Sequence, residues 1–370
     1  MIRRSLCETH RRKFFQLIPR DIFGKELVKT LLVTGGYGFI GSHFIRLVRR
    51  EKPKWRIVNL DRLTYAGNLD SLSDLNFTAA DAGYRFVEGD IADSSLVRQV
   101  FETEHLEVII NFAAETHIDR SLLNSAPFIK TNIEGVRVLL EIATQFGSQK
   151  FLQVSTDAVY GSLAPDEPAF SENSHLNPNS PYAASKAAAD LLVRAYHQSY
   201  GLPTLVTRCG NNYGPYQFPE KFLPLFITNA LDDQPLPLYG DGRQIRDWIH
   251  VEDHVRAVLH ILEHGIPGEV YNISADGEQM NQFMAQRILD ILNKPREFIR
   301  HVADRPGHDR RYALNASRVR ALGWKPSVPL ENGLSRTIDW YRNQREWWER
   351  IKTGEYRNYY VEMYGQRLKT

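Results

Sequence analysis

Cysteine is almost absent: the 370 residues hold two, Cys7 and Cys209. Two distant thiols give no disulfide framework, and the expected compartment is a reducing cytoplasm. Long apolar runs are missing too, since none approaches the roughly 20 residues a membrane-spanning helix needs, so no membrane partner is expected. Nor does one sign of charge prevail. Forty-six Lys and Arg stand against 44 Asp and Glu, a formal net charge of +2, which gives no argument for a nucleic-acid partner. Internal repeats and low-complexity tracts are lacking as well. What remains is an ordinary globular composition, long enough for two compact units.

The first positive signal is Lys29-Thr-Leu-Leu-Val-Thr-Gly35-Gly-Tyr-Gly38-Phe39-Ile40-Gly41. Leu31 to Val33 is a short apolar run bounded by glycine, which predicts a buried parallel strand. Gly35, Gly38 and Gly41 follow at G-x-x-G-x-x-G spacing, and His43 to Arg50 has helical character. Such glycines let the backbone approach a pyrophosphate at a helix N-terminus, where free N–H groups favour anions. The next predicted strand, Arg56 onward, ends in Asp61, placed to accept hydrogen bonds from an adenosine ribose and to repel a 2′-phosphate. The pattern favours NAD over NADP; Arg62, directly beyond, is the feature that points the other way.

The second signal is Tyr182-Ala-Ala-Ser-Lys186, downstream of Ser155-Thr156-Asp157-Ala158. A tyrosine near its free pKa of about 10 is a poor base. A lysine four residues on lies on the same helix face, where its ammonium is expected to stabilise the phenolate and lower that pKa. The pair then becomes a base able to take a hydroxyl proton while hydride leaves the same carbon.

Between Lys29 and about residue 210, strand-like and helical runs alternate. Arg56–Leu60, Tyr84–Glu88, Val108–Phe112, Lys150–Ser155 and Thr204–Arg208 read as strands. Ser94–Glu104, Ile129–Gln145 and Ala183–Tyr200 read as helices. The alternation predicts an α/β fold, a Rossmann-type doubly wound parallel sheet over 28–210. Site residues are expected at strand C-terminal ends, as Asp90, Ala113, Ala114, Thr156 and Asp157 are. Residues 211–370 are broken by proline and glycine. They are expected to form mainly a smaller substrate-binding α/β domain, with part of it returning to the sheet. Residues 1–27 hold Arg3, Arg4, Arg11, Arg12, Lys13 and Arg20 among their basic side chains and nothing the glycine motif requires. The expectation there is a disordered extension, or a true translation start at Val28.

Five blocks together resemble the dTDP-glucose 4,6-dehydratases of the extended short-chain dehydrogenase/reductase family. They are Asp61-Arg-Leu-Thr-Tyr-Ala-Gly-Asn68, Ala113-Ala114-Glu115-Thr116-His117-Ile-Asp-Arg-Ser121 and Asn211-Asn212-Tyr-Gly-Pro-Tyr-Gln-Phe-Pro-Glu-Lys221. Gln244-Ile-Arg246-Asp-Trp-Ile-His-Val-Glu-Asp-His254 and Asp304-Arg305-Pro-Gly-His308-Asp-Arg-Arg-Tyr312 complete the set. The likeness covers about residues 28 to 365.

The resemblance implies a hydro-lyase acting on dTDP-glucose in deoxysugar biosynthesis with a tightly bound NAD. C4 is oxidised, water is lost across C5 and C6, and hydride returns to C6 to give a 4-keto-6-deoxy sugar. By position, Tyr182 takes the O4 proton, Thr156 hydrogen-bonds the 4-hydroxyl and Asp157 is the acid. Lys186 lowers the tyrosine pKa and anchors the nicotinamide ribose. Phe39, Ile40, Asp90, Ile91, Ala113, Ala114, Thr131 and Asn212 join the glycines and Asp61 as the cofactor set. Thr116, His117, Asn211, Lys221, Pro237, Tyr239, Arg246, Asn272, Arg305, His308 and Tyr364 form the substrate set. Arginine suits the diphosphate through its bidentate fork. A homodimer through the helices near 129–145 and 183–200 is expected by the same analogy.

One residue departs from the pattern. The family has a glutamate directly after the aspartate, as the C5 base, and this chain has Ala158. Three readings compete. Another group substitutes, with Glu115, His117, Tyr182 or a bound water as candidates; or the chain is a 4-epimerase or other C4 oxidoreductase that does not dehydrate; or turnover is lost. An inactive NAD-binding regulatory protein is the non-enzymatic version of the last. His250 and His254 have i, i+4 metal spacing but no evident third ligand, so no metal is expected.

Overall fold

The structure is a computed structural model that describes residues 29–365 and 368, except 76, 79 and 80. The expectations for residues 1–27 and for Val28 lie outside the described residues. Six strands lead the chain: β1 (Thr30–Thr34), β2 (Arg56–Asp61), β3 (Tyr84–Glu88), β4 (Val108–Asn111), β5 (Lys150–Thr156) and β6 (Thr204–Cys209). Six more follow: β7 (Asn211–Tyr213), β8 (Leu236–Tyr239), β9 (Ile245–His250), β10 (Val270–Ile273), β11 (Glu278–Met280) and β12 (Ile299–Val302).

Seven of these form one parallel sheet in the order β10-β6-β5-β4-β1-β2-β3. Alternate residues feed opposite cores, as the two-residue period of a strand requires. Leu31, Val33, Ile57 and Ile110 pack on one face with helices Phe39–Glu51 and Val251–His264. Leu32, Val58, Ile109 and Phe151 pack on the other with helices Ser94–Glu104 and Val136–Gln145. Burial on both faces explains why these strands read as unbroken apolar runs. The chain runs outward from β1 to β3, then crosses to β4 and runs the other way. The switch point between β1 and β4 therefore opens a crevice at their C-terminal ends.

Beyond Cys209 the chain divides. Helix Val251–His264 and β10 join the large sheet, and β10 supplies its seventh strand. Ala316, Val319 and Trp324 also pack into that first core, while helices Phe222–Leu231, Asn281–Leu292 and Leu330–Asn343 build a second core with the aromatic tail. Trp348 is fully buried there and donates its indole N–H to the Tyr341 carbonyl at 2.8 Å.

One predicted helix is not regular. Ile129–Gln145 begins as a wide turn over Ile129–Gly135 and becomes α-helical only at Val136–Gln145. Such π-type widening re-aims side chains and is frequent at functional sites. Here it turns Asn132 inward, where its Oδ1 accepts from Glu115 N at 2.9 Å. Its Nδ2 donates to the Glu115 carbonyl at 3.0 Å and to Ser185 Oγ at 2.9 Å. One side chain thus ties the loop after β4 to helix Pro181–Tyr200.

Candidate active site

A cleft of about 440 Å³ runs from the C-terminal ends of β1, β4 and β5 to the second core. The three glycines line part of its wall. Gly35 has φ of +69°, a left-handed conformation that glycine adopts freely. A Cβ on Gly41 would stand 2.2 Å from the Gly35 carbonyl oxygen, so the turn closes only without side chains. Helix Phe39–Glu51 starts at Gly38 with no side-chain cap and no acid in its first turn. Its first N–H groups and its dipole are therefore available to an anion. Phe39, Ile40, Asp61, Asp90, Ile91, Ala113, Ala114, Thr131 and Asn212 line the same cleft. Asp61 is fixed by backbone N–H groups from Tyr37 and Leu63, both at 2.8 Å, while burial pushes its carboxyl up. Arg62 pairs with Asp90 at 3.3 Å. This arrangement fits a dinucleotide. Gly41→Ala is expected to cost about 1–3 kcal/mol through overpacking and to weaken NAD binding, read by thermal denaturation with and without NAD.

Helix Pro181–Tyr200 is started by Ser180, whose Oγ accepts from Ala183 N at 3.2 Å, and by Pro181 in the first turn. That start places Tyr182 at the mouth of β5, beside Thr156 and Asp157. Thr156 Oγ1 donates to Asp157 Oδ1 at 3.1 Å. Asp157 is buried and its Oδ2 has no partner among the described residues. Burial pushes this carboxyl up to about 7, against the opposing pull of Thr156 and the Arg246 guanidinium. Ala158 packs with Ala183, Tyr312 and Tyr182.

The tyrosine and lysine correct one expectation. Tyr182 is not lowered: burial pushes its phenol up, and only the Thr156 hydroxyl opposes this, while Asp157 and Asp190 raise it further. Lys186 Nζ donates instead to the Val154 carbonyl at 2.7 Å, and burial brings the amine down to about 8.

Thr116, His117, Asn211, Lys221, Pro237, Tyr239, Arg246, Arg305, His308 and Tyr364 line the same cleft. Arg246 is no surface ion-pair partner of Asp247. It is buried, donates to the carbonyls of Ile245 and Asp309 at 2.8 and 3.0 Å, and stacks on the Tyr312 ring. His308 Nδ1 meets Asp304 Oδ1 at 2.6 Å, and burial lowers its pKa to about 4. Lys221 Nζ donates to the Thr116 carbonyl at 2.8 Å. His117 lies between the Glu220 carbonyl and the Tyr359 hydroxyl, at 3.4 and 3.3 Å, and burial lowers its pKa. His250 and His254 diverge: His250 Nδ1 accepts from Glu252 N, and His254 Nδ1 meets Asn212 Oδ1 at 2.8 Å.

Asn272 is not brought to the cleft. It sits on β10, fully buried, with Oδ1 accepting from the Tyr160 hydroxyl at 2.8 Å and Nδ2 donating to the Phe170 carbonyl at 2.9 Å. Its place is structural. The cleft also holds acids that sequence reasoning missed. Asp119 accepts from Arg305 at 3.0 Å and from the Tyr239 hydroxyl at 3.1 Å, gathering two expected substrate contacts. Glu220 holds Arg120 at 2.9 Å. Both acids lie inside the quoted blocks, so the motif marked the segments without ranking these side chains.

Comparison with known proteins fits this geometry. The family model described as GDP-mannose 4,6 dehydratase matches residues 32–337. A dTDP-glucose 4,6-dehydratase of Escherichia coli is 46% identical over 88% of this chain and 97% of its own length. The chain belongs to this dehydratase family. Another family member, from Streptomyces niveus, is 47% identical over 87% of the chain and 96% of its own length. Among solved structures, the family enzyme DesIV of Streptomyces venezuelae, with NAD and TYD bound, superposes with a TM-score of 0.83. It is 47% identical and covers 87% of this chain and 100% of its own. A UDP-glucose 4-epimerase of Thermotoga maritima, solved with UDP-glucose, is more distant. Its TM-score is 0.78 at 30% identity, over 85% of this chain and 99% of its own.

Proposed function

We propose that the chain is an NAD-dependent dTDP-glucose 4,6-dehydratase. The observation that carries this reading is Asp157, a buried carboxyl held near pH 7 beside Tyr182 and Thr156. A 4-epimerase expels no group and needs no such acid; a dehydratase must protonate a departing hydroxyl. A bound NAD would supply the hydride acceptor for C4 and the hydride donor for C6. Gly35, Gly38 and Gly41 would hold its pyrophosphate, Asp61 its adenosine ribose and Lys186 its nicotinamide ribose. Tyr182 takes the O4 proton, Thr156 orients the 4-hydroxyl and Asp157 gives a proton to the leaving C6 oxygen. Arg246, Arg305 and His308 face the diphosphate, with Tyr239 and Pro237 as an apolar wall. Residues 28–210 serve mainly the cofactor, and 211–370 mainly the sugar nucleotide.

A second reading has one observation in its favour. Where the resemblance expects a glutamate, the Ala158 methyl offers no base, so the chain would oxidise C4 and return the hydride to C4 without losing water, as a 4-epimerase does. Mass spectrometry after incubation with NAD and dTDP-glucose decides between them. A sugar nucleotide lighter by one water supports dehydration; an isobaric epimer, or no change, overturns it. A cytoplasmic homodimer belongs to the same proposal. Leu122, Leu123, Ile129 and Leu191 are exposed on neighbouring helices, an apolar face suited to a second copy.

A further inference from the structure

Dehydration needs a base for the C5 proton, and Ala158 supplies none. We infer that Asp157 alone serves both halves of the elimination, taking the C5 proton and delivering it to the C6 hydroxyl as that group leaves. This rests on the dehydratase reading of the same site.

The two Asp157 oxygens have different surroundings. Oδ1 accepts the Thr156 hydroxyl, which fixes the carboxyl plane. Oδ2 is buried without a partner among the described residues, although the residue lines the cleft. Leaving a buried acceptor unsatisfied is unfavourable, a cost that contact with substrate would relieve.

No neighbour competes for the task. Arg246, Asp247, Tyr182, Tyr312 and Cys209 are the titratable groups that act on Asp157. Arg246 is a cation with no lone pair to offer. Asp247 accepts from Gly277 N at 3.1 Å and stands outside the cleft wall. Tyr312 donates its hydroxyl to Asp309 Oδ2. Burial keeps the Cys209 thiol protonated. Tyr182 already holds the O4 proton when C5 must lose its own. Glu115 and His117 belong to a different electrostatic neighbourhood, around Glu220 and Lys221.

The step balances with one carboxyl. The C4 ketone accepts the electron pair when the C5–H bond breaks, and Asp157 Oδ2 takes the proton. The C6–O bond then breaks, C5 and C6 become doubly bonded, and the carboxylic acid returns its proton so that water leaves. The carboxylate is regenerated. C5–H and C6–O sit on adjacent carbons, so one carboxyl reaches both if they leave from the same face. A proton affinity near neutrality suits a group that must both accept and give.

Two readouts test this on the full chain with NAD and dTDP-glucose. In D₂O, Asp157→Asn is expected to lower C5–H exchange by about 10²–10⁴-fold, scored by NMR only after absorbance of reduced cofactor shows that C4 was oxidised. A 6-fluoro analogue, whose leaving group needs no proton, is not expected to rescue the variant. Exchange or fluoride release near the wild-type rate would overturn the inference by pointing to a water or a second residue. The wild type supplies an independent sign. A carboxylate that starts the step makes dehydration rise with pH through about 7, whereas an acid-only Asp157 makes it fall. A falling profile overturns the inference even if the variant folds poorly. Wild-type protein that never loses water overturns the dehydratase reading and the inference together; exchange in the variant beside an active wild type overturns the inference alone.

Discussion

Tyr182→Phe is expected to cut dTDP-glucose turnover by about 10²–10⁴-fold while leaving NAD binding in place. The phenol stands in the first turn of helix Pro181–Tyr200, held there by the Ser180 cap, and faces Thr156 across the cleft. It is the group proposed to take the O4 proton, and phenylalanine keeps its ring but offers no oxygen. Burial and the nearby Asp157 and Asp190 carboxylates push the Tyr182 pKa up, so the tyrosine begins as a reluctant base. Its activation would then require cationic charge brought close, which a bound NAD would supply. The loss should appear in the first step, as missing absorbance of reduced cofactor in a single turnover. Variant turnover near the wild-type rate would remove Tyr182 from the mechanism.

The second large effect lies behind the site. Asp190→Ala is expected to lower folding stability by about 3–5 kcal/mol, because it strands a buried cation. Arg208 Nε donates to Asp190 Oδ2 at 2.8 Å, with the two side chains 6% and 1% exposed. The same guanidinium donates to the Tyr160 hydroxyl at 2.9 Å, and Tyr160 passes a hydrogen bond on to Asn272. The chain of contacts ties helix Pro181–Tyr200 to β6 and β10. Urea unfolding of variant and wild type measures the difference. A shift below about 1 kcal/mol, the range of exposed pairs, would mean that the pair is solvated in solution.

That network also marks where sequence reading stopped. Asn272 stands in a segment that looks like a substrate contact, yet nothing in its spacing reveals that Tyr160 and Phe170 consume both ends of its amide. Long-range hydrogen bonds between distant segments leave no local pattern. Asn132 was hidden for the same reason, inside the run Ile129–Gln145, which reads as a plain helix and not as a widened turn. The parallel strands were legible because burial on both faces forces unbroken apolar runs such as Leu31–Val33. The glycine turn was legible because its closure tolerates no Cβ at Gly41. Rank within the quoted blocks was not: Asp119 and Glu220 sit among the expected residues, and only the fold makes them partners of Arg305, Tyr239 and Arg120. The Tyr182–Lys186 spacing placed both groups on one helix, but the Val154 carbonyl captures the ammonium.

The central claim is that this site dehydrates its sugar without a carboxylate at position 158. A single turnover with dTDP-glucose deuterated at C4 tests it most directly. The account predicts that the label moves to C6 of a 4-keto-6-deoxy product, which requires C4 oxidation, loss of water and return to C6 in one active site. Label retained at C4, whether in glucose or in its epimer, would contradict the account and leave a C4 oxidoreductase in its place.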